Sequence, residues 1–335
     1  MSIAVIKPGL QSSFQDRGRY GYQHLGVPVS GAMDTRAHRL ANLLAGNTGD
    51  QASLEITLNG PTLQFDDTAC IAISGALLSP AINDQPVPNN RPLIVRRGDT
   101  LRFGEPQHGL RAYLAVYGGF DIDSVMDSQS TYLRGQLGGW QGRSLQKGDV
   151  IPLRTPLHYG QSDALAQRLW EMRIYLPAIL GPARRDTVRV MRGQHAALFT
   201  DTAIDAFFKK SFRIQAQSDR MGYRLEGPAL SMKTPRQLLS EATSFGTIQV
   251  PASGQPIILM ADRQTTGGYA KLAHICTVDL TIVAQRAPGE WLGFREISVA
   301  IAQQLDSQRE EAFGRLERSL DALHQLLADT QRNSP

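Results

Sequence analysis

Eight consecutive residues, Asp262-Arg263-Gln264-Thr265-Thr266-Gly267-Gly268-Tyr269, hold a carboxylate, a guanidinium, a carboxamide, two hydroxyls and a phenol. Groups of these kinds bind and polarise a small amide, carboxylate or phosphate-bearing ligand, because N–H and O–H donors stabilise charge on oxygen. The Gly267-Gly268 pair lets the backbone take a positive φ or approach a ligand or another backbone closely. The same composition also serves a surface turn whose side chains satisfy one another, since loops are polar in any case. These eight residues alone leave both readings open. A second polar set, Ser128 to Tyr132 followed by Gln136 to Arg143, is rich in Ser, Gln, Thr and Gly. It suits either an anion held by hydroxyls and backbone N–H groups or a long connection between strands. A third, Gln15 to Gly21, reads equally as a ligand-facing turn or as a salt-bridged one.

Other chemistries find no pattern to support them. The histidines, at 24, 38, 108, 158, 195, 274 and 324, include no pair at metal-ligand spacing. There is no G-x-S-x-G elbow, no Cys-His signature and no G-x-x-x-x-G-K-[ST] phosphate loop. Cys70 and Cys276 sit inside apolar, strand-like runs and read as buried free thiols. The 35 basic residues exceed the 31 acidic ones by only 4, with no Lys/Arg run interleaved with aromatics, so nucleic acid is not an expected partner. The N-terminus lacks the basic and long apolar segments of a secretory leader, and no apolar stretch reaches the ~18 residues of a membrane span. The expectation is a cytoplasmic protein.

Behind the polar loops lies a mainly β chain. At 335 residues, two domains are the expectation. Short apolar runs bounded by Gly, Pro, Asn and Asp fall at Ile3 to Ile6, Leu54 to Leu58, Leu63 to Phe65, Cys70 to Ser74, Leu93 to Val95, Thr100 to Phe103 and Arg111 to Tyr117. They predict a closed or sandwiched antiparallel sheet rather than a doubly wound α/β fold. A helix is expected around Ala37, Leu40, Ala41 and Leu44, ended by Gly46-Asn47. The segment 156–173 reads as a linker or bridging helix. A second β-rich unit follows over 174–298, with strands at Val188 to Met191, Gly246 to Val250 and Pro256 to Ala261 and a helix near Asp201 to Lys210.

Three pairs of segments recur in the same order: Gln15 to Arg19 with Ser218 to Gly222, Leu54 to Gly60 with Ser240 to Gly246, and Arg97 to Phe103 with Pro288 to Phe294. They suggest a duplicated β-barrel-like domain, 1–155 and 174–298, whose polar loops would meet at one cleft. Over 299–335 the period becomes helical. Phe313, Leu316, Leu320, Leu323 and Leu327 make a seam expected to pack on the protein's own surface, or else on a partner.

Several of these motifs also resemble one family. They are Gln15 to Arg19, Gly26 to Asp34, Ala41 to Asn47, Leu54 to Thr57, Gly138-Gly139 through Arg143, Arg220 to Leu225, Gly246 to Pro251 and the Asp262 to Tyr269 loop. Together they resemble the biotin-dependent carboxyltransferase/allophanate hydrolase subunit 2 family over residues 1 to about 300. That family includes the C subunit of the prokaryotic ATP-dependent 5-oxoprolinase, the Kip-inhibitor antagonist KipA and part of the carboxyltransferase region of urea carboxylase. One departure is Ala270 after Tyr269, where the family usually has a proline that stiffens the exit of the loop.

The resemblance implies two tandem cyclophilin-like β-barrel domains with a few helices and a C-terminal helix. It implies a hydrolase that opens 5-oxo-L-proline to L-glutamate with ATP hydrolysis, active in complex with a KipI-like B subunit and an A subunit. The chain carries no biotin carboxylase, biotin carrier or KipI-like segment, which favours the 5-oxoprolinase member over urea carboxylase. The alternatives it leaves are a KipA-like regulatory protein without chemistry and carboxyl transfer from a biotinylated partner. ATP and Mg2+ would be the cofactors, held by this chain or by a partner; biotin enters only with carboxyl transfer. For the reaction, Asp262 is expected as base or magnesium ligand, with Gln264, Thr265, Thr266 and Tyr269 as further catalytic groups. Gln249 and the Gly267-Gly268 backbone would bind substrate and Arg220 and Arg263 would face anions, each arginine serving equally well in a buried salt bridge. Gln15, Asp16 and Arg19 would complete the site from the first domain.

Overall fold

The computed structural model describes residues 1–155, 157, 162–182, 185–234 and 236–332, so Pro156 and His158 of the expected linker lie outside it. The chain forms two compact units: one made of Met1–Gly18, Asp34–Gly181 and Ala312–Pro335, the other of Arg19–Met33 and Pro182–Glu311. Each unit is mainly β and has its own apolar core.

The first unit contributes β1 (Ser2–Lys7), β2 (Gln11–Gln15), β3 (Ser53–Thr57), β4 (Thr62–Phe65), β5 (Ala69–Leu77), β6 (Ala81–Ile82), β7 (Gln85–Pro86), β8 (Pro92–Val95), β9 (Thr100–Arg102), β10 (His108–Val116) and β11 (Val150–Pro152). They make two sheets, ordered β11-β1-β4-β9-β6-β7 and β2-β3-β10-β5-β8. Alternate residues of β1 and β4 (Ile3, Val5, Leu63, Phe65) share one core with Leu54, Ile56, Ile71, Ile73 and Leu114 of the second sheet, as the period-two pattern requires. Strands β5 and β10 are buried on both faces because helix α1 (Thr35–Leu44) covers the other side. Asp34 caps α1 by accepting from the Ala37 N–H at 3.0 Å. Gly46 ends it at φ +85°, a conformation for which glycine has no steric cost.

Among the described residues, the barrel expected in each half closes in the second unit, while the strands of the first form a pair of sheets. Strands β12 (Thr187–Arg192), β13 (Phe212–Ile214), β14 (Gly222–Glu226), β16 (Thr247–Val250), β17 (Ile257–Leu259), β19 (Ala270–Ile275) and β20 (Trp291–Glu296) close in the order β12-β19-β16-β17-β14-β13-β20. Closure comes from the parallel pairing of β12 with β20, the other neighbours being antiparallel. The ladder leaves no unpaired edge. Outside the barrel wall, β15 (Glu241–Ala242) and β18 (Thr266–Gly267) pair as a short ribbon. Helix α3 (Asp201–Lys209) buries Phe207, which stacks on Phe294 at 4.4 Å. The fully buried Asp279, ahead of the short helix α4 (Leu280–Ala284), accepts from the Arg189 backbone and guanidinium and from Arg185.

Helix α2 (Ser162–Glu171) takes up the helical signature of the linker. The C-terminal seam is carried by two helices rather than one, α5 (Val299–Ser319) and α6 (Asp321–Arg332), separated at Leu320. Phe313, Leu316, Leu320, Leu323 and Leu327 are all buried, so the seam packs within its own unit. Arg39 of α1 lies 4.0 Å over the Phe313 ring and donates to Glu317 at 2.9 Å. The recurring segments match only in part. Asp16 accepts from the N–H two residues on, as Asp219 does, and a turn glycine with positive φ (Gly98, Gly289) precedes β9 and β20. Leu54 to Thr57, by contrast, lies in a five-residue central strand, whereas Glu241-Ala242 is a two-residue edge.

Candidate functional site

The polar loop leaves the barrel at the end of β17 and returns as β19, so both of its ends are fixed by the wall. Its first residue is held hardest. Arg220 Nε donates to Asp262 Oδ2 at 2.9 Å and Nη2 to Oδ1 at 3.1 Å, with both side chains buried. The same Nη2 donates to the Gly31 carbonyl at 2.6 Å, and the Asp262 N–H donates to the Arg220 carbonyl. This planar fork is the strongest ion-pair geometry that a carboxylate can enter. Both oxygens of Asp262 accept from Arg220, and the pair pins the start of the loop. Among the described residues no group of three His, Cys, Asp or Glu side chains is arranged to hold a metal ion.

Arg263 follows, with its guanidinium 5.9 Å from the Phe245 ring and bonded to the carbonyls of Met260 and Ala261. Burial pushes its pKa down, against the nearby Tyr20 and Asp262. Gln264 and Thr266 are exposed at the tip and Thr265 is half-buried. The backbone carbonyls of Gln264 and Thr265 accept from the Thr243 hydroxyl and N–H, which ties the tip to β15.

The glycine pair is used for room. Neither Gly267 nor Gly268 takes a positive φ. A Cβ on Gly267 would stand 2.8 Å from both Gln249 Nε2 and Gln264 Nε2, so its missing side chain is where two carboxamides converge. Gln249, on β16, is 1% exposed, and among the described residues its Nε2 has no hydrogen-bond partner. Tyr269 is half-exposed and, with Leu230, Met232, Leu238, Val250 and Ala270, lines a cavity of about 800 Å³ beside the loop. Ala270 is buried and paired with Val250 in the ladder, which fixes the exit of the loop without a proline.

The remaining expected residues divide between the units. Gln15 and Asp16 belong to the first. Gln15 Nε2 donates to Ser13 Oγ and the Thr131 carbonyl, each at 3.1 Å. Asp16 accepts from Gly18 N, Ser128 Oγ, Gln129 N and Ser130 Oγ, so the Ser128 to Ser130 stretch serves to hold it. Arg19 is fully buried and falls in the second unit, its N–H donating to the Val29 carbonyl at 2.6 Å.

A second group next to the loop carries no motif and is not marked by the sequence reading. Lys271, on β19, is 1% exposed, and its ammonium donates to Glu241 Oε2 of β15 at 2.7 Å. Gln194 Nε2 donates to the same oxygen at 3.0 Å, and His195 Nδ1 accepts from the Lys271 N–H at 3.1 Å. The hydrogen bond from Lys271, then that from Gln194, holds the Glu241 carboxyl below its ordinary pKa. Burial, reinforced by the Lys271 charge, lowers that of the neighbouring His274. The one available signal was a lysine inside an otherwise apolar strand, Ala270-Lys271-Leu272-Ala273.

A family profile described as carboxyltransferase domain, subdomain A and B, matches residues 25–296. The chain is 37% identical over 310 residues to the 5-oxoprolinase C subunit of Escherichia coli, covering 92% of this chain and 96% of that one. It is 36% identical over 319 residues to the 5-oxoprolinase C subunit of Haemophilus influenzae, covering 95% and 99%. The crystal structure of the urea amidolyase of K. lactis superposes with a TM-score of 0.84 at 32% identity over 94% of this chain; the chain spans 20% of that protein's length. No helix among the described residues is long and apolar enough to cross a membrane.

Proposed function

The chain belongs to the carboxyltransferase-domain family, subdomains A and B, and from that premise we propose that it is the C subunit of an ATP-dependent 5-oxoprolinase, which opens 5-oxo-L-proline to L-glutamate. The observation that carries this reading is the two-way coverage of the 5-oxoprolinase relatives, which share almost their whole length with this chain. Its partners are then the A and B subunits of that enzyme, the latter being KipI-like.

A lactam is a poor electrophile, and opening it needs donors at the carbonyl oxygen and a directed water. In this reading the carboxamides of Gln249 and Gln264 and the hydroxyls of Thr265 and Thr266 orient the ring, over the space left by Gly267. Tyr269 closes the apolar side, and the Asp262–Arg220 pair keeps the loop registered on the barrel. ATP with Mg2+, when bound, would supply the activation of the lactam carbon. In this reading both would be held by a partner protein.

The test is glutamate release from 5-oxo-L-proline with ATP and Mg2+, using this chain alone, its two partners without it, and all three together. Glutamate is expected only from the full mixture, with Gln249→Ala lowering kcat/KM by at least about tenfold, as loss of one donor does. An inactive full mixture in which the complex has nonetheless assembled would overturn the reading. The urea amidolyase likeness supports a second one, carboxyl transfer to an amide from a biotinylated partner. It requires bicarbonate-dependent, avidin-sensitive turnover, which the first does not.

A further inference from the structure

Two buried side chains with donors, Gln249 and Lys271, lie on the barrel wall at the β15–β18 ribbon. Gln249 and Lys271 are register partners across β16 and β19, so their side chains share a face with Cβ atoms about 5 Å apart. Their neighbours Val250 and Ala270 point into the apolar core, which leaves Gln249 and Lys271 on the outer face. There the ribbon covers them, Glu241 being the partner of Gly267 across it.

An ammonium has three donors. Among the described residues, the Lys271 Nζ finds one hydrogen-bond acceptor, Glu241 Oε2. The adjacent Gln249 Nε2 finds none, and an unpaired buried donor is costly. These donors call for oxygen acceptors, and a group that is to compete with Glu241 for the ammonium must also carry negative charge. A carboxylate brings both. Glu241 already offers one to the lysine, yet its side chain is 45% exposed and it sits on a two-residue strand whose every side chain faces solvent.

We propose that Lys271 and Gln249 form a carboxylate-binding subsite and that Glu241 is its resident stand-in, displaced when the carboxylate of a small substrate enters. The inference rests on the reading of this loop as the substrate site and deepens it. The lactam ring is directed to the Gln264 side of Gly267, and the substrate's own carboxylate to Gln249 and Lys271. Closure of the ribbon by Glu241 keeps the ammonium paired in the absence of ligand, which a buried charge requires.

The experiment is equilibrium titration of the chain with 5-oxo-L-proline, with 2-pyrrolidinone (the same lactam without the carboxylate), with acetate and with inorganic phosphate. Glu241→Gln removes the competing charge at a half-exposed position, and at least tenfold tighter binding of 5-oxo-L-proline and of acetate is expected. Lys271→Met should abolish both, while 2-pyrrolidinone should respond to neither substitution. Since Lys271→Met could disturb folding, the double variant Lys271→Met/Glu241→Gln, which leaves no unpaired charge, is measured beside it and should also fail to bind. No gain in carboxylate affinity for Glu241→Gln overturns the subsite, as does phosphate binding it more tightly than acetate. Binding of 5-oxo-L-proline that neither substitution alters overturns the subsite and leaves the 5-oxoprolinase reading standing. Acetate responding as expected while 5-oxo-L-proline binds no better than acetate supports the subsite and counts against that reading.

Discussion

At the scale of single residues, burial decides which ionisable groups are available for chemistry. Asp262 was the natural candidate for base or metal ligand from its place in the loop, yet its fork with Arg220 makes it an anchor. Lys271, which no motif marks, is buried and is the register partner of Gln249, one of the converging carboxamides. His38 shows the same force in the first unit. Its Nδ1 sits 2.7 Å from Ser53 Oγ, and burial lowers its pKa from 6.5 to about 4, against the pull of Asp16, Glu55 and Asp50 and with a small push from Arg17. A depressed folded-state pKa means that the unfolded chain binds the proton more readily below pH 6.5. Stability from this group is therefore complete above pH 6.5 and is lost as pH falls toward 4. Between pH 7 and pH 5 the loss should be about 2 kcal/mol. Urea unfolding at the two pH values checks it, and His38→Gln should flatten the difference; an equally steep dependence in that variant would refute the assignment.

At the scale of elements, the site is a loop clamped between two barrel strands and roofed by a ribbon. The arrangement explains why a glycine is needed at 267 although its backbone is ordinary. Gly267→Ala places a methyl group where the two carboxamides meet, and the far ends of flexible side chains must yield. The expected result is a drop in kcat/KM of the reconstituted enzyme on the order of 10- to 100-fold with a Tm near that of the parent chain. A large fall in Tm would instead mean that the glycine serves folding. Most strands here were readable from their apolar runs; β16 and β17 begin and end within a residue or two of expectation. The ribbon was not. Glu241-Ala242 and Thr266-Gly267 are too short and too polar to announce strands, and their pairing depends on where β17 and β19 deliver the loop.

At the scale of the whole molecule, two units with separate cores each bury one cysteine in a strand or at its end. Cys70 lies in β5 with its pKa pushed up to about 12 by burial, and the Cys276 thiol is raised for the same reason. A thiol kept from becoming a thiolate is inert. Neither should react with an excess of aromatic disulfide reagent over an hour in native buffer, whereas both should react within minutes in strong denaturant. Rapid native labelling of either would show that its unit opens locally.

What the sequence determined by itself is the class of fold and the neighbourhood of the site. Apolar runs with period two, punctuated by Gly and Pro, dictate short antiparallel strands wherever they fall, and the motifs around 15–58 and 220–269 identify the family. A helical seam at 313–327 likewise must bury its leucines on something. Tertiary structure decided the rest. Barrel closure is a long-range event, since β12 pairs with β20 a hundred residues away, and local pattern does not say that one half closes while the other stays as two sheets. The roles within the site were decided in the same way. Whether a carboxylate is free or clamped, and whether a lysine is a surface charge or a buried, paired one, depends on which groups the fold brings within about 3 Å. In this chain those partners lie 30 to 42 positions apart for Lys271 with Glu241 and for Asp262 with Arg220, beyond the reach of any local pattern.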